Sequence, residues 1–293
     1  MTKISEAIAE GAERLRASGI VEERRAAGAL LCHALGIDRT RLLTGSNEEV
    51  DAPSYQAYLS FIERRAAGEP LQYITGHQEF YGLDFIVTPD VLIPRPETEF
   101  LVERVINLTR AAQTARAPLI VDVGTGSGCI AVTLAAHIPA ARVIATDISS
   151  AALDIARANG ERHGVRDRVE LIEGDLLEPL AALNIEAAVD FLASNPPYVE
   201  EGRPDLLQRE VRDWEPSVAL YGGADGLDCY RRLLAEGARY VSPAGYLVCE
   251  IGYTQLDPIR EMIDETKWKL VDVIHDLQGI PRTLAIRRTW EKA

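Results

Sequence analysis

The chain has 293 residues, enough for one large domain or for a large one joined to a small one. Its 47% hydrophobic and 26% charged content is ordinary for a soluble globular protein. A net charge of −14 argues against a protein that chiefly grips nucleic-acid phosphates, which takes clustered lysine and arginine. It suits a protein partner, or a small ligand of positive charge.

The first residues, Met1-Thr2-Lys3-Ile4-Ser5-Glu6, lack the apolar core of a signal peptide. No apolar stretch approaches the ~20 residues needed to span a membrane, so no membrane association is expected. From Lys3 to about Gly68 the apolar spacing is helical: Ile4, Ala7, Ile8, Gly11 and Leu15, then Ala27, Leu30, Leu31 and Ala34, then Tyr55, Tyr58, Leu59, Ile62 and Ala66. Asp51-Ala52-Pro53 reads as a helix start and Gly68 as a stop. These short helices predict a small bundle. Gln78–Val87 places aromatic and β-branched residues around a glycine turn and predicts a hairpin. Pro94-Arg95-Pro96-Glu97-Thr98-Glu99 then breaks regular structure before an amphipathic helix with Leu101, Val105 and Leu108 on one face.

After Pro118 strands and helices alternate, which predicts a parallel sheet. Leu119–Val123 is a near-continuous apolar strand, followed by Gly124-Thr125-Gly126-Ser127-Gly128 and a helix over Cys129–His137. A second strand, Arg142–Thr146, ends at Asp147. A helix over Ser149–Arg162 leads to a third strand, Val169–Ile172. The apolar run Ala187–Ala193 is the fourth. Beyond it come a helix over Leu227–Tyr240, a strand Tyr246–Ile251, a helix Leu256–Glu265, and strands near Leu270–Ile274 and Thr283–Arg288. Pro139-Ala140 and Ser242–Gly245 are expected as loops. The four cysteines, Cys32, Cys129, Cys229 and Cys249, form no Cys-x-x-Cys pair and suggest reduced, buried thiols in a cytoplasmic setting. The five histidines are equally scattered, and no metal site is expected.

Two stretches carry chemistry. Glycines at alternate positions let the backbone turn sharply, and the following helix offers N–H groups and a positive dipole end. The spacing is G-x-G-x-G, one residue short of the usual dinucleotide fingerprint, and Asp122 precedes it. An acid there is a poor neighbour for a phosphate and a reasonable one for a cation. S-adenosylmethionine, with its sulfonium and α-amino group, fits. Asp147 would accept hydrogen bonds from both ribose hydroxyls, and Gly174-Asp175-Leu176 would lie beside the adenine.

The second stretch is Ser194-Asn195-Pro196-Pro197-Tyr198. Two prolines cannot continue a central strand, so the chain must leave the sheet at its carboxyl edge, where ligands sit in such sheets. Alone, the stretch reads equally as a strand-ending turn. As a site, Asn195 and the Pro196 carbonyl form an acceptor cluster beside Tyr198 that suits a planar NH2 group. With first and fourth strands adjacent, cofactor loop and clamp would face one crevice, and methyl transfer to nitrogen follows.

These residues resemble the release factor glutamine methyltransferases, the HemK/PrmC-type N5-glutamine methyltransferases. The likeness runs from Gly68–Gly76 through Leu92–Glu99, Asp122–Gly128 and Asn195–Tyr198. It continues in Glu215-Pro216, Ala219–Gly223, Asp225–Leu227 and Glu250–Gly252. Asn-Pro-Pro-Tyr is shared with amino-methylating DNA and RNA enzymes. Pro94–Glu99 is more specific, since sister enzymes acting on a ribosomal protein tend to read Pro-Arg-Ser-Pro there. The resemblance implies an α/β fold: a seven-stranded, Rossmann-like class I methyltransferase sheet with its last strand antiparallel, a helical N-terminal bundle and a β-hairpin linker. The expected domains are 1–76, a docking bundle, 77–92, the linker, and 93–293, the methyltransferase.

The substrate implied is the glutamine of the Gly-Gly-Gln motif in class 1 peptide chain release factors, with S-adenosyl-L-homocysteine as product. Cofactor contacts implied are Gly124, Thr125, Gly126, Ser127, Gly128, Asp147 and Asn195, beside Asp175 and Leu176. Glutamine contacts implied are Asn195, Pro196, Pro197 and Tyr198, of which Asn195, Pro196 and Tyr198 are expected to be catalytic. A monomer without direct nucleic-acid contact is expected. The competing readings are a nucleic-acid adenine or cytosine N-methyltransferase, a methyltransferase of a ribosomal protein, and an inactive binding protein. The role of Arg95 stays open, between buttressing the cofactor loop and touching the acceptor protein.

Overall fold

The computed structural model describes residues 2–112 and 116–289. The outermost positions of the expected domains, Met1 and residues 290–293, lie outside them. Two units emerge: residues 1–77 together with 208–214, and residues 78–207 together with 215–293.

The first unit is helical: α1 (Ile4–Ala17), α2 (Glu23–Leu35), α3 (Arg39–Thr44), α4 (Ala52–Ala66) and α5 (Leu71–Thr75). Asp51 caps α4, its side chain accepting from the Ser54 N–H at 3.0 Å. The apolar stripes close on one another around Leu15, Leu30, Leu31, Tyr58 and Ile62, all buried. Gly11 allows the tightest approach, since a Cβ there would sit 1.9 Å from the Tyr58 hydroxyl oxygen.

A hairpin opens the second unit, β1 (His77–Phe80, its first residue counted with the first unit) and β2 (Leu83–Ile86), whose turn residues Tyr81 and Gly82 both have positive φ. Then come α6 (Thr98–Ala112), β3 (Leu119–Val123), α7 (Cys129–His137), β4 (Arg142–Asp147), α8 (Ser150–Arg162), β5 (Val169–Glu173) and β6 (Val189–Ser194). The hairpin is stitched to α8: the Asn159 side chain accepts from Ile86 N–H at 2.7 Å and donates to its carbonyl at 3.0 Å. Next in sequence is α9 (Arg209–Trp214), which belongs with the helical unit, where Glu210 pairs with Arg65 at 2.6 Å. Linear position had placed it in the other part. The chain ends in α10 (Asp228–Tyr240), β7 (Val241–Glu250), α11 (Leu256–Met262), β8 (Trp268–His275) and β9 (Pro281–Arg288).

Seven strands form one sheet in the order β5-β4-β3-β6-β7-β9-β8, with β9 antiparallel to both its neighbours and the first five strands parallel. Side chains alternate across it. Ile120 joins a core with α6 and α7, whereas Val121 and Val123 join one with α10. Both faces are covered, which is why the parallel strands read as unbroken apolar runs.

Two sequence expectations need correction. Ala187 and Ala188 precede the strand: Ala187 has φ 53°, and its N–H donates to the Arg239 carbonyl at 2.9 Å. Ser242–Gly245 is part of β7, forming a bulge between the pairs Val189–Val241 and Phe191–Tyr246. Gly245 makes that possible, because a Cβ there would lie 2.8 Å from the carbonyl oxygens of Val189 and Asp190.

Trp268 is fully buried in the α10-side core and its indole N–H donates to the Leu234 carbonyl at 2.8 Å. Trp268→Ala should therefore lower stability by about 3–5 kcal/mol. Trp268→Phe, which loses mainly the hydrogen bond, should cost about 1–3 kcal/mol. Urea unfolding followed by circular dichroism reads both.

Candidate functional site

Register decides which residues meet. Val123 pairs with Thr146 on one side and with Ser194 on the other. Gly124, Asp147 and Asn195 are each the next residue, so three neighbouring strands release them at the same level of the sheet edge. Gly174 follows β5, whose Glu173 pairs with Asp147. In front of these strand ends lies a cavity of about 250 Å³. Gly124, Gly126, Asp147, Asp175, Leu176, Asn195 and Pro197 all line it.

The glycine loop is held from behind. The N–H groups of Gly124 and Thr125 both donate to the Thr146 carbonyl, at 2.9 and 3.0 Å. Gly126 N–H donates to Asp147 Oδ2 at 2.8 Å, and Ser149 N–H to Oδ1 at 2.9 Å. Each Asp147 oxygen thus keeps a lone pair for a ligand, and burial raises its pKa. Gly124 and Gly126 have positive φ, and a Cβ on either would meet nothing within 4 Å, so open space lies before them.

Other loop residues turn inward. Thr125 Oγ1 donates to Asp122 Oδ2 at 2.6 Å, and the Ala131 N–H reaches the same oxygen at 3.2 Å. Asp122 is fully buried with Oδ1 unpartnered, and burial pushes its carboxyl up to about 7. The Ser127 carbonyl accepts from the Asn159 side chain at 2.9 Å. Gly128 opens α7, where a Cβ would crowd Ala156 at 3.1 Å. These residues shape the loop without lining the cavity.

On the other side, Pro197 lines the cavity beside Asn195 while Pro196 is buried. Tyr198 lies outside the lining. Its ring packs with the α10-side core, and its carbonyl accepts from the Gln255 side chain at 3.0 Å. The two prolines turn the chain there, and the half-buried Tyr198 ring packs against that core. Burial also raises its hydroxyl pKa.

Leu176, at φ 49°, is held by its carbonyl, which accepts from Thr146 Oγ1 at 2.9 Å. Asp175 pairs with Arg232 at 2.7 Å. Arg95 does not reach the cavity lining. It binds Glu215 at 2.7 Å, and the same buried carboxylate accepts from Ile93 N–H at 3.3 Å, which ties the Pro94–Pro96 bend to the start of the segment Pro216–Tyr221.

That segment was missed as site material. Its Pro216, Val218, Ala219 and Tyr221 line the cavity, as do Asp90, Val91 and Leu92. The density of turn residues after Asn195 was the available signal. Also missed were Thr98 and Glu250 behind the clamp: Asn195 Nδ2 donates to Thr98 Oγ1 at 3.1 Å, and Thr98 donates to Glu250 Oε2 at 2.6 Å. Both lie in stretches that carry the family resemblance, Leu92–Glu99 and Glu250–Gly252, where neither was given a site role. Among the described residues the lining carries the carboxylates of Asp90, Asp147 and Asp175, the last already paired with Arg232, and no lysine, arginine or histidine, so it favours a cation.

Close backbone approach holds the clamp. A Cβ at Gly222 would lie 2.3 Å from the Pro197 carbonyl oxygen, and one at Gly226, φ +73°, the same distance from that of Tyr198. Gly226→Ala should cost about 2–3 kcal/mol, from positive φ and the clash together. Gly279→Ala, also at positive φ but in open space, should cost about 1 kcal/mol. Thermal melting of the two variants side by side separates the contributions.

Residues 6–76 match the family described as the PrmC N-terminal domain, and residues 98–213 match the methyltransferase small domain. The release factor glutamine methyltransferase of Koribacter versatilis is 43% identical over 97% of this chain and 98% of its own length. The protein of the same name from Geobacter sulfurreducens is 41% identical over 93% of this chain and 92% of its own. Its counterpart in Moorella thermoacetica is 43% identical over 97% and 99%. Among solved structures, a methyltransferase from Pyrococcus furiosus aligns with TM-score 0.51 and 20% identity over 71% of this chain and 90% of its own. The N-terminal domain of human METTL16, in complex with SAH, gives 0.52 and 18% over 85% and 87%. These structural likenesses speak to the fold alone.

Proposed function

Because the chain belongs to the release factor glutamine methyltransferase family, we propose that it transfers a methyl group from S-adenosyl-L-methionine to the side-chain amide nitrogen, N5, of the glutamine in the Gly-Gly-Gln motif of class 1 peptide chain release factors. S-adenosyl-L-homocysteine is the other product. The observation that carries this reading is the single cavity lined both by Gly124, Gly126 and Asp147 and by Asn195. The cofactor's requirements fit what the residues present: open space before two glycines, an Asp147 carboxylate with spare lone pairs, and an acidic lining for a cationic ligand.

When bound, the cofactor supplies an electrophilic methyl group on a sulfonium. Gly124 and Gly126 would let it approach the loop, Asp147 would accept from its ribose hydroxyls, and Asp175 and Leu176 would border its adenine. Thr125, Ser127 and Gly128 hold the loop in shape. The acceptor is a weak nucleophile, because an amide nitrogen shares its lone pair with its carbonyl. Asn195 Oδ1 and the Pro196 carbonyl each accept one N–H of that amide, which orients the nitrogen and offsets the positive charge that grows on it. After the carbon–sulfur bond breaks and the carbon–nitrogen bond forms, the nitrogen gives up one proton to solvent. Positioning and electrostatics of this kind supply several kcal/mol without a general base. Pro197 forms the adjoining wall, and Tyr198 closes one side of the flat amide group.

In this reading residues 1–76 dock the release factor, 77–92 form the linker and 93–293 carry the chemistry, with the segment 208–214 returning to the docking part. The enzyme acts as a monomer in the cytoplasm with reduced cysteines and without touching nucleic acid. Among the described residues no helix is long and apolar enough to cross a membrane, and no group of acidic, histidine and cysteine side chains could hold a metal.

Incubating the protein with S-adenosylmethionine and a Gly-Gly-Gln-bearing release factor should add one methyl group to that glutamine by mass spectrometry. Methylation of DNA, RNA or a ribosomal protein instead would refute the substrate assignment. Asn195→Ala should lower kcat at least about 100-fold while S-adenosylhomocysteine affinity by calorimetry changes little. Asp147→Ala should chiefly weaken that affinity.

A further inference from the structure

The hydrogen bonds behind Asn195 have a fixed direction. Glu250, the last residue of β7, is 2% exposed, and Thr98, the first of α6, is 1% exposed. Thr98 Oγ1 donates to Glu250 Oε2 at 2.6 Å and accepts from Asn195 Nδ2 at 3.1 Å. A hydroxyl has one proton, and an ionised carboxylate only accepts. With that proton committed to Glu250, Thr98 can meet Asn195 only through a lone pair. The amide must turn its NH2 toward Thr98, which leaves Oδ1 on the opposite side. Among the described residues no donor reaches that oxygen, and Asn195 borders the cavity. The flipped amide would set Oδ1 against the lone pair of Thr98 and present NH2 to an incoming NH2 group.

We propose that Glu250 and Thr98 are positioning residues for methyl transfer: the carboxylate orients the hydroxyl, and the hydroxyl locks the Asn195 amide with its oxygen toward the acceptor nitrogen. The inference rests on Asn195 serving as the acceptor clamp. It adds two residues on other elements, neither of which lines the cavity. It also explains why a side chain with two nearly symmetric ends can act as an acceptor in one direction only.

Protonation of Glu250 would undo the order, because a carboxylic acid can donate to Thr98 and release the hydroxyl proton toward Asn195. Burial pushes Glu250 up to about 7. Among the charges facing it, Glu97 raises it further, while Arg95 and Arg282 pull it down. The hydroxyls of Tyr198 and Tyr230 and the thiols of Cys129 and Cys249 are all raised by burial, so they stay neutral across this range. The ordering form is the carboxylate, so kcat/KM should rise with pH through neutrality.

The test compares the full-length wild type with Thr98→Val, Thr98→Ser and Glu250→Gln, using a release factor as acceptor. Thr98→Val should lower kcat about 10- to 100-fold while S-adenosylhomocysteine affinity changes less than about threefold, and Thr98→Ser should restore turnover. Glu250→Gln should abolish the rise of kcat/KM between about pH 6 and 8 that Glu250 ionisation produces. Amide orientation is read separately by NMR, from the Asn195 side-chain NH2 resonances assigned through Asn195→Asp. They should titrate with a midpoint near the Glu250 value in the wild type and not in Glu250→Gln. An active wild type with Thr98→Val within about twofold of it, or an unchanged pH profile in Glu250→Gln, overturns the relay. A wild type that methylates no release factor but shows the NMR titration keeps the relay and overturns the substrate assignment. Should Thr98→Val not fold, Thr98→Ser and Glu250→Gln still decide.

Discussion

The parallel register of β4, β3 and β6 is the constraint on which the site depends. Val123 sits opposite both Thr146 and Ser194, so the next residue of each strand emerges at one level. Backbone hydrogen bonds between buried strands set this alignment, and a slip of one residue would turn every side chain to the other face. A glycine loop, a carboxylate and an amide distant in sequence are thereby brought to one cavity by the least deformable part of the molecule.

Around that frame short polar links hold the loops alongside their apolar packing. Asp147 accepts from the glycine loop it faces, and Glu215 ties the Arg95 bend to the segment that walls the cavity. Gly222 and Gly226 let that segment lie against the carbonyls of Pro197 and Tyr198. Each link joins loops far apart in sequence. Their cost in buried polar groups is offset because nearly every one has a partner; the unpartnered Oδ1 of Asp122 is an exception.

The chemistry asks for restraint more than for reactivity. No strong base is needed to methylate an amide whose N–H groups are held by two oxygens, provided those oxygens do not move. An asparagine is a poor candidate for such a duty by itself, since its two ends differ little in shape. Buried partners give it direction, and Thr98 and Glu250 stand where that direction is set.

Much of this was legible in the chain itself. Apolar periods of 2 and 3.6, glycine punctuation and the Asn-Pro-Pro stop determined the strand and helix order and the residues at the carboxyl edge, because those are local properties of backbone and side chain. Tertiary structure alone decided the rest. It packed the half-buried Tyr198 ring against the α10-side core and made Ser242–Gly245 a bulge within a strand. It set α9 among the N-terminal helices and gave Arg95 a buried carboxylate as partner. Thr98 and Glu250 lie 152 positions apart, and no local pattern records that two such residues share a proton behind a third. That is a property of packing: burial strips water from the groups, and only their neighbours in space are left to satisfy them.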